Sequence, residues 1–262
     1  MRVKQFLISV CCVMILGACQ VNRQGDNNLV IDVDDDFRLT FLENLVTPGD
    51  DVIFSLESIL NRQCEADTVT MLVDHYVSAI AINIDVVNTT GVCRPGETKI
   101  STSATTDPLP KDRMALSIKL ETLIANQGNL LIDDETITVN METTNGFYLP
   151  YESMRKVPDH LVWGFVSLST ASRPGAQQFV DRLNSLTSAA EIGEGQYGYF
   201  SISSDTDLTV MEEQELDIPT QPFLRSFKLE DTQQIEALFN EIKEQYPSLK
   251  MILRDSYGTI LR

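Results

Sequence analysis

Few groups of residues in this chain have the types and spacing to do chemistry. Asp32, Asp34 and Asp36 alternate, and Glu43 stands at the twelfth place counted from Asp32, which is the acidic spacing of a helix-flanked calcium loop. Calcium takes six to eight oxygens on a loop whose sixth place is Gly, to allow a sharp turn. Here that place is Phe37, and the flanks read as strands. The spacing therefore predicts a solvated acidic turn, with Asp32, Asp34, Asp35 and Asp36 as the calcium candidates should one form. Asp50-Asp51 and Asp133-Asp134-Glu135 are similar clusters at strand ends.

Gly193-x-Gly195-x-x-Gly198 has the spacing of a dinucleotide fingerprint. That fingerprint works because it follows a strand and opens a helix, aiming backbone N–H groups at pyrophosphate. Here the triplet follows a helical pattern and precedes a strand, so it reads as a helix C-terminal loop. The two histidines, His75 beside Asp74 and His160 beside Asp159, have no Gly-x-Ser-x-Gly elbow to pair with. A His-x-x-x-His zinc pattern is missing too. Glycoside hydrolysis needs only two suitably placed carboxylates, and nothing singles out a pair among 38 acidic residues. No catalytic residue and no cofactor are expected.

One more grouping lies at the N-terminus. Arg2 and Lys4 precede an apolar run from Phe6 to Leu16, and Leu16-Gly17-Ala18-Cys19 closes it. This is the basic, hydrophobic and small-residue layout of a secretory signal. The run is about half of the roughly 20 residues needed to span a bilayer, so a cleaved signal over residues 1–18 is expected. The four closing residues resemble the lipobox of bacterial lipoproteins. The resemblance implies a diacylglyceryl group on Cys19, with an amide-linked acyl chain such as palmitate. Two lipid signals give stable anchoring where one is marginal. It also implies a bacterial cell-envelope address, and Gln20 in place of Asp leans towards the outer membrane. Residues 19–28, polar and without period, read as the lipidated Cys and a tether.

The address bears on charge and thiols. The formal net charge is −18, and losing Arg2 and Lys4 leaves 18 basic against 38 acidic residues, about −20. Such a field repels nucleic acid and anionic lipid, and no basic patch opposes it. The expected partners are the membrane, through the lipid, and an envelope protein or extracellular ligand, with no nucleic acid. Once Cys11 and Cys12 leave with the signal and Cys19 is lipidated, Cys64 and Cys93 remain. An even pair in an oxidising compartment predicts a disulfide, against two free thiols or a metal site. Closing that loop would stabilise by about 3–4 kcal/mol in the chain-entropy model.

The elements that must position these residues fall into two styles. From Leu29 to about Asn145 the period is two. Ile80, Ile82, Ile84 and Val86 alternate with small or polar residues, as do Met114, Leu116, Ile118 and Leu120, and Ile137, Val139 and Met141. Weaker strands are expected at Phe37–Leu42, Val52–Leu56, Thr68–Val73 and Glu97–Thr105, punctuated by turn residues such as Thr47-Pro48-Gly49-Asp50. Some seven short strands predict an antiparallel β-sandwich over residues 29–145, with an immunoglobulin-like arrangement as one form of it, although the only Trp is Trp163 and the Cys…Trp…Cys spacing is absent. Residues 146–159, with Gly146, Pro150 and Pro158, read as a connection between domains, with Phe147, Tyr148 and Tyr151 packed on a neighbour.

Residues 160–262 change period. Leu161–Ser169 reads as a strand, and Ser172-Arg173-Pro174 opens a helix with Phe179, Val180, Leu183 and Leu186 as its stripe. Strands are expected at Tyr197–Ser203, with Leu208–Val210 as an extension, and at Phe223–Leu229. Asp231 with Gln234 predicts a capping box for a second helix striped by Ile235, Leu238, Phe239, Ile242 and Tyr246. Pro247 ends it before a last strand, Leu249–Leu253. The order β-α-β-β-α-β matches the ferredoxin-like arrangement. An α+β chain of two domains follows, and the superfold carries no function with it. The functional expectation is a lipid-anchored envelope protein acting by binding or assembly. Its rivals are an extracytoplasmic hydrolase with unrecognised residues, or a calcium-stabilised surface or adhesive component.

Overall fold

A computed structural model describes residues 36–46, 49–59, 68–87, 99–121, 124–205, 207–212 and 218–262. Cys19, Cys64, Cys93, Asp32, Asp34 and Asp35 lie outside the described residues. Among the described residues the chain is mostly β-sheet with two α-helices, an α+β class with several sheets. The described residues belong to one compact unit, and neither of their helices is long and apolar enough to cross a membrane.

Ten strands fill the first part: β1 Phe37–Glu43, β2 Val52–Ser58, β3 Thr68–Tyr76, β4 Ala79–Val87, β5 Ser101–Thr105, β6 Arg113–Leu120, β7 Ile124–Ile132, β8 Thr136–Met141, β9 Phe147–Tyr148 and β10 Ser153–Arg155. They form a four-stranded sheet, β5-β2-β1-β9, and a six-stranded sheet, β10-β8-β7-β6-β4-β3. Both sheets contribute to one core. Phe37, Leu39, Phe41, Val52, Phe54 and Leu56 from the first meet Ile80, Ile82, Leu116, Ile118, Leu130 and Val139 from the second. Alternation is what allows this, because every second side chain of a strand points to the same face. The expected strands are present, so the period-two reading located them.

Three features differ from the expectation. The pairing is not purely antiparallel: β4 runs parallel to β6, and β1 parallel to β9. The chain leaves β4 for the other sheet, forms β5 there and returns as β6, and such a crossover brings a strand back in the same direction. Next, β7 was not foreseen; it pairs with both β6 and β8. Finally, the segment read as a connection contains β9 and β10, one in each sheet.

The second part comprises β11 Leu161–Ser167, α1 Arg173–Leu186, β12 Ser188–Ala189, β13 Gly195–Gln196, β14 Phe200–Ile202, β15 Leu208–Val210, β16 Thr220–Ser226, α2 Thr232–Gln245, β17 Met251–Asp255 and β18 Ile260–Leu261. The five-stranded sheet has the order β12-β16-β11-β17-β18, antiparallel throughout. Val162 and Val166 on one of its faces pack with Phe179, Leu183, Leu238, Phe239 and Ile242 of the helices. Leu161, Trp163 and Phe165 on the other face pack with Tyr197, Phe200 and Val210 of the small β13-β14-β15 sheet. Strand β11 is therefore covered on both sides and buried at every position. At its centre Gly164 leaves no room for a side chain, since a Cβ there would come within 1.9 Å of the Ile252 carbonyl oxygen.

In the helix stripes Phe179 and Leu183 of α1 and Ile235, Leu238, Phe239 and Ile242 of α2 are buried, while Val180, Leu186 and Tyr246 are partly buried against the same core, and Pro174 stands in the first turn of α1. The capping box is not formed. Asp231 ends a 3₁₀ turn, Leu229–Asp231, in helical conformation and makes no side-chain cap bond. Gln234 Nε2 donates instead to Asp231 Oδ1 at 3.3 Å. The predicted strand at Tyr197–Ser203 is shortened to β14 and belongs to the small sheet, where the Phe200 ring packs on Trp163 and the Tyr197 ring stacks on Phe200.

Candidate functional site

Where the ends of the two N-terminal sheets meet the second part, the surface opens into a cleft of about 510 Å³. Strand ends and tight turns build it. Glu43 is the last residue of β1, Asp50 precedes β2, Lys111 precedes β6, and Arg155 closes β10. Asp134 and Glu135 sit on the turn between β7 and β8, which the Asp133 side chain fixes. Its Oδ1 accepts from the Glu135 and Thr136 N–H groups at 2.8 and 2.6 Å, and its Oδ2 from the Thr136 hydroxyl at 2.9 Å. Short-range capture of backbone N–H groups is what makes Asp a turn residue, and the same bonds hold the Asp133 carboxyl below its usual range.

Glu43 is the centre of the seam. Its Oε2 accepts from the Val157 N–H at 2.9 Å, and its carbonyl accepts from the Tyr199 hydroxyl at 2.6 Å. Burial pushes the Glu43 carboxyl above the ordinary value, against the Val157 N–H bond and the Lys156 charge, while Asp50 and Asp159 add to the rise. Burial also lifts the Tyr199 phenol to about 12. Lys156 Nζ pairs with Asp50 Oδ1 at 2.5 Å, with side chains only 11% and 22% exposed. Behind Tyr199, Arg254 lies 5.5 Å from the ring centroid and binds Glu212 Oε1 through Nε at 2.5 Å.

The far wall is the loop between β12 and β13. Arg155 Nη1 donates to the Glu194 carbonyl at 3.2 Å, and its guanidinium lies so close over Gly193 that a Cβ there would stand 2.4 Å from Nη1. The Tyr197 hydroxyl donates to the Gly193 carbonyl at 2.9 Å. At the rim Lys111 Nζ meets Asp134 Oδ1 at 2.6 Å, a hydrogen bond that raises the amine and lowers the carboxyl. In all, Glu43, Asp50, Asp134, Glu135, Asp159 and Glu191 face three cations, Lys111, Arg155 and Lys156. Since two of those cations are already engaged by Asp134 and Asp50, the cleft keeps a surplus of acceptors and negative potential.

The residues singled out in the sequence are mostly elsewhere. Asp36 is exposed at the start of β1, where its N–H donates to the Gly146 carbonyl at 3.1 Å. Among the described residues no three His, Cys, Asp or Glu side chains are grouped to hold a metal. His75 is exposed at the end of β3. His160 has a positive φ of 64°, and its Nδ1 lies 2.9 Å from the Tyr257 hydroxyl, with Phe227 edge-on to the ring. Neither histidine lines the cleft. The glycine triplet serves packing, Gly193 and Gly195 against Arg155 and Gly198 against Leu42.

No family model, curated protein or solved structure matches the chain. Lys111, Arg155 and Lys156 went unnoticed in the sequence because no local pattern marks them. Arg155 and Lys156 are neighbours in the chain, and Lys111 reaches them only through the sheet order β6-β7-β8-β10.

Proposed function

We propose that this is a lipid-anchored envelope protein that binds a partner or assembles through the seam cleft. The observation that carries the reading is the cleft itself, an opening framed by strand ends in which carboxylates outnumber cations and two of the three cations are already paired with carboxylates of the lining. Such a surface favours positively charged groups on the partner.

The remaining elements of the reading rest on sequence with support from the fold. Lipidation of Cys19 rests on the lipobox resemblance. For a Cys64–Cys93 disulfide, the described strand ends are compatible. Thr68 and Val87 are register partners, so the chain leaves for Cys64 and for Cys93 from neighbouring points. Four and six residues of chain, at roughly 3.5 Å each, let the two sulfurs meet. Two sheets around one core support the β-sandwich reading. The run β17-β11-β16-β12, with a helix after β11 and after β16, supports the ferredoxin-like one.

The test places a photocrosslinking amino acid at Ile192 in the cleft, or at Ala237 on α2, in the native membrane. A partner captured from Ile192 and not from Ala237, and lost in Glu135→Lys/Asp159→Lys, is the expected result. Equal capture at both places, or capture unaffected by the charge reversals, would count against the cleft. Palmitate labelling of the wild type but not of Cys19→Ser checks the anchor separately.

A further inference from the structure

The outer face of the four-stranded sheet carries a second opening, a groove of about 380 Å³ lying over β5, β2 and β1. Its floor follows from the alternation of these strands. With Leu39, Phe54 and Leu56 turned into the core, Thr40, Ser55, Ser101 and Ser103 are turned outward and present a field of hydroxyls. Each hydroxyl donates or accepts as its partner requires.

Arg38 and Glu57 stand in the middle of this field. Arg38 Nη2 donates to Glu57 Oε2 at 2.6 Å, and Lys99 Nζ lies 3.6 Å from Glu57 Oε1. The guanidinium, about half exposed, is thus held in place with N–H donors to spare. Beside it, on the same face, is Tyr148. Parallel register places Phe37 with Phe147 in the core and Arg38 with Tyr148 outside, where the Tyr148 side chain is partly exposed. On a chain of net charge −18, this groove is locally free of surplus acid.

We propose that this groove binds an uncharged pyranose oligosaccharide. Such a chain offers vicinal hydroxyls, which are donor and acceptor at once and match both the Ser/Thr field and the fixed planar donors of Arg38. It also offers apolar C–H faces that stack on an exposed aromatic ring, the part Tyr148 plays; an amphipathic ring with one wet end suits this role. A polyanion would meet the repulsion of the whole protein. A cationic segment would find Glu57 already occupied by Arg38 and Lys99. The groove is distinct from the seam cleft, so the two readings stand or fall separately.

The experiment is calorimetry on the full-length protein in detergent, with cellotetraose, chitotetraose and tetragalacturonate as probes. At least one neutral tetrasaccharide should bind saturably. Tyr148→Ala should weaken it about tenfold or more, and Ser103→Arg, which fills the groove from an exposed position, should abolish it. Tyr76→Ala, on another exposed surface, and Glu135→Lys, in the seam cleft, should leave it unchanged. Thermal midpoints equal to wild type show that the variants fold. No saturation by either neutral sugar up to ~10 mM, a range that covers weak sites, would overturn the proposal. So would undiminished binding in Ser103→Arg or Tyr148→Ala, tighter binding of tetragalacturonate, or loss through Glu135→Lys alone.

Discussion

Strands β6 and β11 are close in length and stand in the middle of their sheets, yet their burial differs. Along β6, Met114, Leu116, Ile118 and Leu120 are buried while Arg113, Ala115 and Lys119 are exposed. Along β11 every residue is buried. The difference is the number of covered faces. A sheet packed on one side keeps a solvated face, whereas β11 has helices on one side and a small sheet on the other. Residue pattern thus reports how many layers a strand lies between.

The comparison predicts where the molecule is least forgiving. Gly164→Val should be the most damaging change, because its side chain would enter the Ile252 carbonyl on a strand with no free side to yield to. We expect a loss of about 4 kcal/mol or more, read as a collapse of the Trp163 emission of the folded state; a native-like spectrum and melt would show that β11 is less tightly held than its burial implies. Phe54→Ala, in the core between the two N-terminal sheets, should cost about 3–5 kcal/mol. Its consequence for Trp163, the only Trp, sharpens the comparison. If the seam couples the two regions, the urea transitions followed by Trp163 fluorescence and by far-UV circular dichroism shift together, and separate transitions would divide the molecule there.

Legibility divides along the same line. The alternation of Ile80–Ile84 and Met114–Leu120 was readable because their inward residues are all apolar. Strand β7 was not, because its inward positions include Asn126 and Gly128. Asn126 is fully buried, its amide donating to the Asn145 carbonyl at 3.0 Å and its Oδ1 accepting from the Asn145 N–H at 2.8 Å. Gly128 lies where a Cβ would meet the Asn140 carbonyl at 2.4 Å. A satisfied polar residue and a close backbone approach erase the period that sequence reading relies on. The helices were legible from their stripes, and the failed capping box shows that a local motif yields when a 3₁₀ turn takes its first residue. The cleft was hidden for a different reason. Its nearest pairing, Lys156 with Asp50, joins residues more than a hundred positions apart.

Two smaller effects test the seam. Lys156→Met should cost about 2 kcal/mol, between the values for exposed and buried pairs, since it strands the Asp50 carboxylate; a change within the error of the melt would make the pair an incidental contact. Glu43→Gln should act in the opposite direction. A carboxyl raised in the fold favours the protonated form, so its contribution is complete below the ordinary value of 4.5 and falls as pH rises through the higher folded value. The Gln variant should therefore be more stable than wild type at neutral pH, with the advantage shrinking to nothing as the medium is acidified. An advantage that grows in acid would reverse the assignment.

The chain enters the described fold at Asp36, bonded to Gly146, and β1 carries it some 20 Å to Glu43 at the seam. Seven register pairs with β2 and two with β9 flank that path. A pull applied between Asp36 and the Glu43 end of β1 runs along the strand axis. It loads those hydrogen bonds in shear, all at once, and does not peel them apart singly. Force between the two ends of β1 would thus be shared by all nine register pairs.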